Sequence, residues 1–243
     1  MKVFVVKDAL EGASRAADEV EKVIRAKSGC TLGLATGSSP IPLYQELARR
    51  CRENGLDFSG VHSVNLDEYV GLDGTHPQSY RFFMDKNLFD QINIDKANTF
   101  VVSGVGNVRE NLQEFNRKLA DTEIDIQVLG VGPDGHLGFN EPGEELWDGA
   151  HEEKLDESTI EANKRFFASR DEVPTRALTM GMGNIMRAAR LLILIGGNKK
   201  EAASKLLLND KIDPHWPCTF AKLHRDATVI IEKQLADEIG YTQ

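Results

Sequence analysis

The stretch VGPDGHLGFNEPG at residues 131–143 places Asp134, His136 and Glu141 within eight positions, among four glycines and two prolines. Histidine changes charge near neutral pH. Flanking carboxylates can fix its tautomer and tune its basicity, so the trio suits proton shuttling. The same three groups could ligate a metal, but zinc sites usually draw on several His or Cys side chains. No HxxxH or CxxC pair occurs elsewhere in the chain, and neither does the GxSxG elbow of a serine-based relay. Pro133-Asp134-Gly135 is also a turn signature, and a turn by itself would account for the aspartate.

Three other clusters carry chemistry. In VHSVNLDEY, Asp67 and Glu68 are adjacent at a strand end, so their side chains alternate and only one need face a pocket. Desolvation and the neighbouring charge would raise its pKa far enough to take a proton from carbon; the alternative is an Asp that caps the turn into YVGLDG. In ATGSSP, Thr36, Gly37, Ser38 and Ser39 lie between a strand and a helix. Backbone N–H groups and hydroxyls there suit a phosphate, or one of the serines simply caps the helix. Lys199 follows GGN at a similar junction, where a cation makes sense beside a bound anion, and Lys200 stands next to it. Arg165 in NKRFF is interleaved with aromatics, and either binds an oxyanion or stacks at the surface.

The elements that must position these groups alternate along the chain. Strand-like runs occur at 3–6, 31–35, 61–67, 99–102, 125–132, 176–180, 191–197 and 227–232. Helical patterns lie between them, among them PIPLYQELARRCREN, SYRFFMDKNLF, NVRENLQEFNRKLAD, GNIMRAAR and KKEAASKLLL. The alternation predicts a mostly parallel sheet with helices on both faces, and 243 residues suit one α/β domain spanning 1–243. The acidic stretch 141–161 reads as a lid or an excursion from the sheet. Four strands end in TGSS, LDEY, PDGH and GGNKK, the side of such sheets where ligands bind.

Composition narrows the partners. A formal net charge of −9 argues against nucleic acid and anionic membrane surfaces, so the countercharge for an anionic substrate must be local. Cys30, Cys51 and Cys218 are odd in number and widely spaced, as expected of reduced thiols in a cytoplasmic protein. The first apolar run is too short for a signal peptide and LLILI too short for a membrane span.

Together, GLATGSSP, VNLDEYVGLDGTHPQSY, GVGPDGHLGFNEPG, NKRFF, ALTMGMGNIM and GGNKKEA resemble the glucosamine-6-phosphate deaminase family in order and spacing. The related 6-phosphogluconolactonases share a DGH loop but usually continue it as DGHTASLFPG, whereas this chain reads DGHLGFNEPG. The resemblance implies a Rossmann-like three-layer α/β/α fold. It also implies conversion of D-glucosamine 6-phosphate and water to D-fructose 6-phosphate and ammonia in amino-sugar catabolism, with no metal or organic cofactor. By the same carry-over His136 opens the pyranose ring with Asp134 and Glu141 orienting it, and Asp67 moves the C2 proton to C1. Thr36, Gly37, Ser38, Ser39, Arg165 and Lys199 hold the phosphate, Lys199 being preferred to Lys200 for its spacing from Gly196. Allosteric, hexameric members use basic residues after the GFNEPG loop and a longer C-terminal tail. The acidic HEEKLDE and the ending GYTQ here lead to the expectation of a non-allosteric monomer. Preference between glucosamine and galactosamine 6-phosphate stays open, since stereochemistry at C4 is read by pocket contacts.

Overall fold

The computed structural model describes residues 1–242, the side chains of Ala162 and Phe166 excepted. Its strands are β1 (Lys2–Val6), β2 (Thr31–Leu34), β3 (His62–Asn65), β4 (Asp67–Tyr69), β5 (Thr99–Phe100), β6 (Ile126–Gly130), β7 (His151–Lys154), β8 (Arg176–Thr179), β9 (Leu191–Ile195) and β10 (Ala227–Glu232). The helices are α1 (Ala9–Ala26), α2 (Ile41–Asn54), α3 (Tyr80–Asn87), α4 (Val108–Ala120), α5 (Glu157–Asn163), α6 (Met182–Met186), α7 (Lys200–Leu207) and α8 (Lys233–Ile239).

Seven strands form one parallel sheet in the order β1-β10-β9-β6-β2-β3-β5. Alternate residues of β9 show why it must be covered twice. Leu192 and Leu194 pack with Val20 of α1 and Leu47 of α2, while Leu191, Ile193 and Ile195 pack with Leu206 of α7 and Leu235 of α8. Truncating a fully buried residue such as Ile193 to alanine should cost about 2–5 kcal/mol. The result is the expected three-layer arrangement. Among the described residues no helix is long and apolar enough to cross a membrane.

Local chemistry explains the helix ends nearest the strand termini. Asp8 caps α1 by accepting the N–H groups of Leu10 and Glu11. Helix α2 starts after Pro40, with no side-chain cap, and carries Pro42 in its first turn, where the missing N–H costs nothing.

Two sequence expectations change. The run 61–67 is not one strand: β3 stops at Asn65, and β4 leaves the main sheet to join an antiparallel sheet ordered β4-β8-β7. Leu66 is the hinge, donating its N–H to Leu34 O while its own carbonyl accepts from Met180 N–H. The run 176–180 likewise belongs to this second sheet, where β8 pairs with both β4 and β7. The partner β7 is HEEK, which lies inside the acidic stretch 141–161 and outside the main sheet. Antiparallel pairing lets one face remain polar, which is how so acidic a segment forms a strand. Beneath it Tyr69, Phe139, Leu155, Ile160, Val173 and Ala177 form a separate small core.

Candidate active site

The main and small sheets meet over a cavity of about 160 Å³ at the carboxyl ends of β2, β3 and β6, lined by Thr36, Gly37, Ser38, Ser39, Asp67, Tyr80, His136, Thr159, Asn163, Arg165 and Lys199. Beyond Ser38, Ser39, Arg165 and Lys199 it continues into a more apolar groove against α1.

The loop after β6 is built to hold one imidazole. Gly132 N–H donates to His136 O, and Gly135 at φ +87° closes the turn and accepts Cys218 N–H. A Cβ on Gly132 would stand 2.3 Å from the His136 ring, so the absence of a side chain there makes room for the imidazole. His136 Nδ1 stands 2.8 Å from Asp134 Oδ1 and 3.6 Å from Glu141 Oε2. Asp134 Oδ1 also accepts the backbone N–H of His136, so one carboxylate grips ring and main chain together. Burial acts to lower the His136 pKa, but the Asp134 contact and the charges of Asp134 and Glu141 outweigh it, and the net shift is upward. Asp134 is held below its ordinary value because His136 overcomes the opposing effect of burial. Burial pushes Glu141 up. One ligand atom from each of the three lies within 4.8 Å of the others, a span that a metal ion could also bridge.

The stretch from Gly138 to Glu141 is locked by contacts across the sheets. Asn140 donates its side-chain amide to Leu137 O and Met180 O, each at 2.8 Å, and Phe139 N–H donates to Thr179 Oγ1. Asn140 is thus a fixing residue within GFNEPG, and nothing in that motif marks it, because its partner Met180 is distant in the chain.

Asp67 begins β4 directly after the hinge, is 5% exposed, and has an Oδ1 without a hydrogen-bond partner. Burial, then the adjacent Glu68, pushes its pKa up to about 8, against the opposing pull of His136. Glu68 turns the other way and accepts N–H groups of Tyr69, Tyr80 and Arg81, holding the start of α3 against β4. Burial still raises its pKa, to about 7. The alternation expected for the pair therefore separates a cavity carboxylate from a structural one. Tyr80, positioned by this contact, stacks on Phe139 with ring centroids 6.0 Å apart and walls the cavity beside Asp67.

At the opposite end the two serines do not cap α2. Ser38 Oγ accepts from Arg165 Nη2 at 3.5 Å, and Ser39 Oγ accepts from Lys199 Nζ at 3.2 Å. Gly37 adopts φ +85°, a left-handed conformation that glycine reaches without strain. Lys199 is half-buried ahead of α7 and Lys200 is exposed on it, so only the first reaches the cavity. Burial, reinforced by the Arg165 charge, lowers the Lys199 pKa, while Glu232 opposes the shift. Two cations and two hydroxyls converging beside a strand-to-helix loop form a ready anion site.

Residues 7–230 match the family model described as glucosamine-6-phosphate isomerases/6-phosphogluconolactonase. A glucosamine-6-phosphate deaminase of Clostridium perfringens is 47% identical over 238 residues, covering 97% of this chain and 98% of its own. A solved monomeric glucosamine-6-phosphate deaminase, described as a missing link of the NagB superfamily, is 37% identical. It superposes with a TM-score of 0.92 over 98% of this chain and 99% of its own. The 6-phosphogluconolactonase of Leishmania guyanensis shares the fold at a TM-score of 0.77 over 98% of each chain, with 17% identity.

Proposed function

The chain belongs to the glucosamine-6-phosphate isomerase/6-phosphogluconolactonase family, and we propose that it is the deaminase of that family, converting D-glucosamine 6-phosphate and water to D-fructose 6-phosphate and ammonia. The observation that carries this reading is the pairing, across one small cavity, of an imidazole held by two carboxylates with a separate buried carboxylate, Asp67, that has a free oxygen.

The division of labour follows from the geometry. The Ser38, Ser39, Arg165 and Lys199 end takes the phosphate, whose binding energy positions the reacting carbons. His136, with Nδ1 turned to Asp134 and Glu141, has Nε2 left for the cavity and exchanges a proton between the C1 hydroxyl and the ring oxygen. Once C1 is an aldehyde the C2 proton is acidic. Asp67, a stronger base for being desolvated, takes it and returns it at C1. The resulting imine is hydrolysed to the ketose and ammonia. None of these steps calls for a cofactor. Nothing in the acidic HEEK strand resembles the basic site of allosteric members, so the enzyme is proposed to be a cytoplasmic, non-allosteric monomer.

Ammonia release from glucosamine 6-phosphate tests the reading, with galactosamine 6-phosphate run in parallel to settle the C4 preference. Hydrolysis of 6-phosphogluconolactone without ammonia release from either amino sugar would assign the chain to the other branch of its family. Activation by N-acetylglucosamine 6-phosphate would overturn the non-allosteric assignment.

A further inference from the structure

Among the described residues, the polar side chains that line the catalytic cavity have occupations, with one exception. Asp67 and His136 are assigned to the reacting carbons, and Ser38, Ser39, Arg165 and Lys199 to the anion. The Tyr80 hydroxyl is engaged with the side chains of Tyr69 and Thr36. Thr159 stands at Glu141, whose ionised form its hydroxyl favours. The exception is Asn163, the last residue of α5. It lines the cavity, and its carboxamide makes no hydrogen bond among the described residues. Asn163 also borders a second, smaller cavity of about 60 Å³, walled chiefly by the rings of Tyr69, Tyr80, Phe83 and Phe167. Aromatic rings satisfy an amide poorly, so the catalytic cavity is where a ligand can meet its donors and acceptor.

The register of α5 sets where along the cavity that amide stands. Asn163 follows Thr159 by four residues and so shares its face one helical turn on, about 5–6 Å away. Two residues later Arg165 reaches Ser38. The segment therefore runs from the relay, through Asn163, to the anion site. A hexosamine 6-phosphate lying along the same line has C1 and C2 at the relay and C6 at the anion site, which leaves C3 and C4 between them. Asn163 is nearer in the chain to Arg165 than to Thr159, which favours C4, the carbon on the phosphate side.

We propose that Asn163 is a specificity-determining residue that hydrogen-bonds the C4 hydroxyl of the bound hexosamine 6-phosphate. The inference rests on the deaminase reading and names the side chain that reads the one centre at which glucosamine and galactosamine 6-phosphate differ. A carboxamide both donates and accepts, which matches a hydroxyl. The wrong epimer turns its hydroxyl away and leaves the amide unpaired, and that unpaired group supplies much of the discrimination.

The test measures kcat/KM for ammonia release by the native chain and Asn163→Leu on glucosamine 6-phosphate, its 4-deoxy analogue, its 3-deoxy analogue and galactosamine 6-phosphate. Leucine has similar bulk and no polar group. The native chain is expected to handle the 4-deoxy analogue roughly 5–100-fold less well than the parent, the cost of leaving a partner unpaired. In Asn163→Leu that gap should shrink to within about twofold, because the partner is already gone. The loss should fall on KM, since the C4 hydroxyl takes no part in the chemistry. The ratio between the two epimers should move toward one, while any penalty for the 3-deoxy analogue persists. Should Asn163→Leu fail to fold, as judged by thermal unfolding, Asn163→Ala serves in its place. An unchanged 4-deoxy penalty in the variant, or loss of the 3-deoxy penalty instead, would overturn the proposal, as would a native chain indifferent to the C4 hydroxyl. A native chain that releases no ammonia from either amino sugar would sink the deaminase reading itself, an outcome separate from an active chain whose discrimination ignores Asn163.

Discussion

At the relay end of the cavity Asp67 and Glu141 are 5% and 8% exposed, and both carboxyl groups are pushed above their ordinary values. At the anion end Arg165 is exposed, Lys199 is half-buried, and each meets a serine hydroxyl. The two ends also differ in backing. The relay side chains sit where two sheets cross, at a hinge residue and on a loop pinned by Asn140 and Cys218. The anion groups come from a helix start, a strand-to-helix turn and a short segment. The difference follows from what each end must do. A base strong enough to remove a proton from carbon needs desolvation. A phosphate must be captured from water, and charge-assisted bonds suffice for that without full burial.

The most damaging way to test this contrast is at Asp67. Asp67→Asn preserves shape and removes the base, and should lower kcat by about 10²–10⁴ with KM little changed. A KM effect instead would mean that Asp67 binds rather than reacts, and the contrast would collapse. The same carboxylate sets the expected pH dependence. With its pKa near 8 and the base form required, activity should fall as pH drops through that region. An acid limb down in the ordinary carboxylate range would show that the base is not desolvated.

Next in size is Gly132→Ala. The added methyl meets the His136 ring at 2.3 Å, so the imidazole must give way and leave its place beside Asp134. A loss of roughly 10² in kcat is expected, the worth of one well-placed acid–base group. Rates near those of the native chain would show that the relay tolerates a looser imidazole than its packing suggests.

At the anion end the effects should appear in KM. Lys199→Ala or Arg165→Ala removes one charge-assisted contact to phosphate and should raise KM roughly 10–100-fold. Lys200→Ala, altering an exposed residue on α7 next door, should change it less than about twofold. A larger loss from Lys200 than from Lys199 would reverse the assignment drawn from Ser39.

The relay end was also the more legible of the two in the sequence, and only in part. Asp134, His136 and Glu141 are close in the chain, so their meeting needs only a turn. Asp67 joins them through a hinge at Leu66 that no periodicity marks, because β3 and β4 are separated by a single residue and read as one run. The strand HEEK carries no apolar alternation, and its identity as sheet comes from pairing with β8. The parallel sheet was readable because its strands are buried on both faces and therefore continuously apolar. Ser38 and Ser39 looked equally suited to capping α2, and only the contacts with Arg165 and Lys199, some 130 and 160 positions away, distinguish the alternatives.

The smallest expected effect bears on stability. In an unfolded chain Asp67 should titrate near an ordinary value of about 3.9, whereas in the folded protein burial holds it near 8. Its folded pKa is raised, so the folded state binds this proton more tightly than the unfolded one. The contribution is fully present below about pH 4 and is lost progressively as pH rises through 8. Above that the fold must carry a buried, partly unpaired charge. Asparagine carries none. The Tm of Asp67→Asn should therefore pull ahead of the native chain between pH 5 and pH 8 and hold its lead above that, by about 2–4 °C for each kcal/mol recovered. Ser39→Ala, at the anion end, should show no such growing gap, because the serine hydroxyl does not titrate in that range. Thermal unfolding of both variants across this range checks the point. A constant Tm difference for Asp67→Asn would mean that its carboxylate is already compensated in the folded state. The raised basicity assigned to the relay end would then have to come from substrate binding rather than from the fold.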